Sequence, residues 1–163
     1  DWCGHVWLQC NRVDTATVRV EGRSYFQAEG DTAATVKAQW LEDEIWTRIR
    51  IDPESLPTGK FEMLPSSVDT RLHHYAPEPQ AATGTRLSDG DTSTYEVAMA
   101  NGRTLKIFYS SAFPHRIRSF VETKAGRVMS KGTSRTVEVV DYWNKNGTAN
   151  APWREKLALP KFR

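Results

Sequence analysis

Between Thr94 and Tyr109 apolar and polar side chains alternate on either side of Asn101-Gly102, the period-two pattern of two strands joined by a tight turn. Asn-Gly suits the two positive-φ positions of a type I′ turn, and such a turn pairs Ala100 with Arg103. Counting outward sets Met99 opposite Thr104, Val97 opposite Lys106 and Tyr95 opposite Phe108 on one face. Ala98 with Leu105, Glu96 with Ile107 and Thr94 with Tyr109 take the other. Neither face is then wholly polar, so the expected sheet curls, packs against a second layer or lines a cavity.

The same alternation recurs along the chain. Segment 15–20 puts Ala16, Val18 and Val20 on one face, and turns at 21–23 and 29–31 lead through a strand over 24–28 into another over 32–41. Segment 44–52 sets Ile45, Thr47, Ile49 and Ile51 against Trp46, Arg48 and Arg50 and is expected as a strand with a basic second face. Further strands are expected over 60–64, 71–75, 115–123 and 133–142, with Arg116, Arg118, Phe120 and Glu122 sharing one face of the segment that holds them. Prolines 53, 57, 65, 77 and 79 divide the middle of the chain, and residues 76–88 are expected to be irregular. The 124–127 segment reads as a turn, and Asp89-Gly90-Asp91 as an exposed acidic turn, since it lacks the spacing of a calcium loop.

No amphipathic crossover helices separate these strands, so hairpin follows hairpin. Near the end Pro152 can open a short helix in which Trp153 and Leu157 face one way, and Pro160 should stop it. The expected fold is mainly β, a curved antiparallel meander or half-barrel with a short C-terminal helix that plugs the sheet's open end or fixes the terminus to its side. It forms one β-rich domain over residues 1–163.

Composition narrows the function classes. With 22 basic and 20 acidic residues interspersed, the net charge is only +2, which argues against a nucleic-acid surface built as a coherent basic stripe. No stretch approaches the roughly 20 apolar residues of a transmembrane helix. The first residue is Asp1, and the expectation is that a preceding initiating or targeting segment has been removed.

Cys3 and Cys10 bracket a short aromatic segment and either close a disulfide loop, which would suit an exported protein, or remain reduced as buried thiols. Together with His5 they make at most three soft ligands without CxxC spacing, so no metal site is expected. Asn146-Gly147-Thr148 matches the N-glycosylation acceptor pattern, which has meaning only in a secretory compartment. No phosphate loop, dinucleotide fingerprint or HExxH motif occurs, and no cofactor is expected.

The leading expectation is a noncatalytic binding or scaffolding module, secreted or periplasmic and associated with the cell envelope. Its partner would be an apolar or amphipathic ligand or another envelope protein. Trp46, Tyr95, Phe108, Tyr109, Phe120 and Tyr142 are the aromatic candidates for a concave binding surface, with Arg48, Arg116 and Arg118 to meet a polar head. The alternative is a small hydrolase. Asp69 lies four residues before His73 and would orient it as general base, with His74 as the second candidate and Ser66 or Ser67 as the hydroxyl nucleophile. No GxSxG elbow accompanies them.

Overall fold

A computed structural model describes residues 6–28 and 30–159. The chain opens with an antiparallel three-stranded sheet of β1 (Val6–Asp14), β2 (Thr17–Ser24) and β3 (Thr32–Lys37), in that order. A short strand β4 (Trp40–Leu41) then enters a second sheet, and helix α1 (Ile45–Ile51) carries the chain to β5 (Gly59–Leu64), which lies parallel to β4. Two parallel neighbours need such a crossover, and here the chain departs from hairpin logic. After helix α2 (Ser67–Leu72) come β6 (Gln80–Asp89), β7 (Thr92–Met99), β8 (Arg103–Ser110), β9 (Ile117–Lys124) and β10 (Arg127–Thr133), each antiparallel to the one before. The seven strands from β4 to β10 form one open sheet, and α3 (Pro152–Lys156) follows near the end. The fold is therefore a mainly β, antiparallel half-barrel meander with a short C-terminal helix. Contacts of α3 with the sheet are few: Lys156 pairs with Glu138 of the tail, which does not make the helix a plug.

The core of the large sheet is written in strict alternation. Tyr95, Val97 and Met99 of β7 and Leu105, Ile107 and Tyr109 of β8 are all buried on the concave face. Ile45 and Ile49 of α1 pack onto them, with Trp46 and Phe120 at the margin. A second core joins the sheets: Val18, Val20 and Val36 from the small one, with Ala38 just after it, meet Leu64 from the large one. The Ala38 amide also donates to the Ala16 carbonyl at 2.9 Å.

Several local expectations are corrected. The hairpin has a three-residue loop: Gly102 N–H donates to the Met99 carbonyl at 3.0 Å, only Gly102 of the Asn-Gly pair has positive φ (+81°), and Asn101 Oδ1 accepts from Arg103 N–H at 3.0 Å. This is a type I turn closed by a left-handed glycine, and it slips the register by one residue. Tyr95 faces Ile107 and Val97 faces Leu105, so Tyr95 and Phe108 point to opposite faces. Phe108 lies outside, under the Lys106 ammonium at 5.9 Å. The two-positive-φ turn sits instead at Ala125-Gly126 (+49° and +78°), closing the Lys124–Arg127 pair.

Segment 44–52 is helical over α1. Its isoleucines satisfy both periods, and burial selects the helical one: Ile45 and Ile49, four apart, are inside, while Ile51 is 69% exposed. Segment 71–75 is not extended, because α2 ends there. Segment 76–88 is irregular only over 76–79; from Gln80 it is β6, paired on both sides, and two ladders outweigh weak strand propensity. β1 precedes the strand expected to open the fold, with Ala16 in the turn after it. The strand expected over 133–142 ends at Thr133. Its partner β9 starts at Ile117, and the Ser134 N–H to Arg118 carbonyl bond at 2.8 Å is the last of that ladder.

Candidate functional site

Glu42, Asp43 and Glu44 form a single 3-10 turn between β4 and α1, and two of their carboxylates hold the start of α2. Glu42 Oε2 accepts from Ser66 N–H at 2.7 Å and Asp43 Oδ2 from Ser67 N–H at 2.9 Å, while Ser66 Oγ caps Val68 N–H at 3.2 Å. Amides at a helix start have no intrahelical acceptor, so acceptors from a distant turn fix α2 against the sheet. A cleft opens on each side of this seam.

The first cleft, about 510 Å³, lies between the small sheet, α1 and the end of β5. Its walls are apolar: Leu8 and Val20 from the small sheet, Leu41 and Leu64 from the large one, Ile51 from α1, and Pro65. Arg48 and Glu44 stand at its rim, and their charges are already matched. Arg48 bonds Glu44 Oε2 at 3.0 and 3.1 Å and lies 5.1 Å from the Trp40 ring, and Arg12 reaches the other Glu44 oxygen at 2.8 Å. Cys10, a free thiol on β1, also lines the cleft, and its pKa is raised by burial and by the negative charges of Asp43 and Glu44. The Cys3–Cys10 pairing expected from sequence involves Cys3, which lies outside the described residues.

The second cleft, about 490 Å³, centres on Arg103. The guanidinium is buried at the concave end of β8 and forks onto Glu42 at 2.9 and 3.1 Å while holding Glu122 Oε1 at 2.7 and 2.8 Å. Arg103 Nη1 also stands 3.1 Å from Asp69 Oδ2, an ion pair outside hydrogen-bond alignment, so no donor is aimed at that buried oxygen. Burial opposes the charge on Arg103, yet the bonds and field of Glu42, with Glu122 and Asp69, outweigh it and push its pKa up. For Glu42 the balance is the reverse: burial raises its pKa despite Arg103 and the Ser66 amide.

Several sequence candidates meet here. Trp46 and Phe120 pack edge to face at 5.3 Å in the wall, and His73 Nδ1 lies 3.1 Å from Asp69 Oδ1 and 3.0 Å from the Asp69 carbonyl. His73 stacks on Tyr75 at 5.3 Å. Ser66 and Ser67 start α2, and among the described residues no hydroxyl bonds the His73 ring. His74 is exposed in a left-handed conformation where the helix ends.

The other candidates disperse. Tyr95 is fully buried, and its hydroxyl donates to the Pro57 carbonyl at 2.9 Å. Tyr109 lines a separate polar cleft, Tyr142 packs on Trp143 at the surface, and Arg116 is exposed. A bulge between Phe108 and Tyr109 turns Ile117 and Phe120 to the same core and sends Arg118 to Thr92 at 2.9 Å and Ser110 at 3.2 Å. The shared face expected for Arg118 and Phe120 is thus absent. Arg103 and Glu42 were missed. The inward parity of Arg103 with Leu105 and Ile107 is the signal that would have found it, once the register is set by burial.

Among the described residues no group of three or more His, Cys, Asp or Glu is placed to hold a metal, and no helix is long and apolar enough to cross a membrane. Comparison with protein-family models, curated proteins and solved structures finds no match.

Proposed function

We propose that this chain is a noncatalytic binding module whose cleft between the small sheet and α1 takes an apolar or amphipathic ligand. The observation that carries the reading is the cleft itself. Its roughly 510 Å³ falls in the range of small-molecule pockets, and two sheets and a helix supply its apolar walls. An apolar body would lie against Leu8, Val20, Leu41 and Leu64, and a polar end would meet Asp43 and Arg48 at the rim. An exported, cell-envelope setting belongs to the same proposal and is tested by fractionation.

The binding test uses N-phenyl-1-naphthylamine, whose fluorescence rises in an apolar site, with dodecanoic acid as competitor. Saturable uptake that competes away is expected, and Thr47→Trp, which places bulk at the rim from the exposed face of α1, should abolish it without unfolding the chain. Uptake that fails to saturate, or that survives Thr47→Trp and a second filling variant at Val20, overturns the proposal.

The hydrolase reading draws on one observation, the Asp69–His73 pair beside a cleft. Its test is ester turnover, which His73→Ala must remove and His74→Ala must spare.

A further inference from the structure

A third cleft, about 440 Å³, sits at the C-terminal end of α1, where Asp52, which also borders the first cleft, Pro53 and Glu54 face the ends of β6, β7 and β8. Its lining is mostly polar, unlike that of the cleft assigned above. Ser93, only 6% exposed, sits between two hydroxyls, Ser88 Oγ at 3.1 Å and Ser111 Oγ at 2.9 Å. The Ser111 hydroxyl donates to the Gly90 carbonyl at 2.9 Å. Each hydroxyl has one proton, so this last bond orients the whole chain: Ser88 donates to Ser93, Ser93 to Ser111, and Ser111 to Gly90. The outer end of that relay, Ser88, then presents lone pairs.

His115 lines the same cleft from a left-handed backbone conformation (φ +49°), uncommon for a residue other than glycine. Its Nδ1 is 3.2 Å from the Ser110 carbonyl, which can only accept, so Nδ1 carries the proton and Nε2 is the acceptor of the neutral ring. The imidazole stands edge to face with the buried Tyr109 ring at 6.3 Å, which limits its rotation. Arg86, the cleft's cation, is committed to its wall: it donates to the Pro53 carbonyl at 2.9 Å and the Glu54 carbonyl at 3.2 Å and pairs with the Glu54 carboxylate. With Asp52 and Glu54 against one occupied guanidinium, the cleft disfavours anions.

From this arrangement we infer a second binding site, for a neutral polyhydroxylated ligand of monosaccharide size. Its hydroxyl protons would be taken by Ser88 Oγ, His115 Nε2 and the acidic rim. A phosphate or carboxylate ligand would need an open cation and amide donors, and Arg86 is held elsewhere.

The test is an amide-resolved NMR titration with D-glucose, D-mannose, D-galactose and D-ribose, with glucose 6-phosphate as the anionic comparison. At least one neutral sugar should give saturating shifts at Ser88, Ser93, Ser111 and His115 with roughly millimolar affinity, and Ser88→Ala and His115→Gln should each weaken it about tenfold. Thr47→Trp, in the other cleft, should leave it unchanged. Because Ser88 is exposed, its variant tests the site even where Ser93→Ala unfolds the chain. No saturation by any of the four sugars, shifts centred away from these residues, or glucose 6-phosphate binding as tightly as glucose overturns the inference.

Discussion

Arg103 and Glu42 lie 61 residues apart and meet in a two-bond fork of 2.9 and 3.1 Å with both side chains buried. The fork ties the start of β8 to the turn before α1, and through Glu42 to the first amide bond that holds α2. Removing the guanidinium leaves Glu42 and Asp69 without their cation, and breaking one side of a buried pair costs about 3–5 kcal/mol. Arg103→Met should lose stability on that scale in urea unfolding at neutral pH. Arg103→Lys, which keeps the charge and loses the planar fork, should lose less. Equal stability of Arg103→Met and the parent chain would remove the pair from the account of the fold.

The same fork sets a pH dependence. Glu42 has a raised pKa in the folded chain because burial outweighs Arg103. Below the unfolded value of about 4.3 both states hold the proton and the contribution is fully present. As pH rises through the folded value it is lost, because the unfolded chain has already released a proton that the folded one retains. The stability difference between the parent and Glu42→Gln should therefore shrink as pH climbs through this window. A difference constant with pH would show that Glu42 does not titrate high.

How much of this was legible depended on which force decided each element. Turn residues and alternation located β7, β8, β9 and the turn at 124–127, since those signals are local. Register was not local. Asn101 accepting from the Arg103 amide favours a three-residue loop over the tighter turn, and the one-residue slip moved Phe108 to the opposite face from Tyr95. In 44–52 two periods coexist, and only the concave sheet waiting for Ile45 and Ile49 chooses between them. The Asp69–His73 contact followed from their four-residue separation, although the expected setting was a turn before a strand rather than the end of α2. The pairing of Glu42 with Arg103 had no signal beyond the inward parity of Arg103, because long-range charge pairing leaves none in spacing.

Cys10 reports on the apolar cleft. Burial, with Asp43 and Glu44, raises its thiol pKa, so less thiolate is present at neutral pH than for an ordinary cysteine. N-ethylmaleimide should modify it more slowly than a free thiol at pH 7, and Asp43→Asn, whose amide oxygen still accepts from Ser67 N–H, should speed the reaction. Dodecanoic acid should slow it further if it occupies the cleft. Mass spectrometry of the peptide carrying Cys10 measures all three rates, and a rate indifferent to Asp43→Asn would show that the carboxylate's field does not reach the thiol.

Gly84 and Tyr95 meet the loop after α1 at a tight crossing over the sheet. A Cβ at Gly84 would stand 2.3 Å from the Pro57 carbonyl oxygen, 2.9 Å from the Tyr95 hydroxyl and 3.0 Å from the Phe61 ring. The loop after α1 can run over β6 because that position has no side chain, and Tyr95 anchors it by donating to the same Pro57 carbonyl at 2.9 Å. Gly84→Ala must push backbone rather than a flexible tip, so a loss of about 1–3 kcal/mol is expected. Tyr95→Phe removes only the anchoring bond, and its loss should be about 1 kcal/mol. The double variant should cost less than the sum, because the alanine has already displaced the carbonyl that the tyrosine reaches. A strictly additive pair in urea unfolding would mean that the two residues do not act on the same loop.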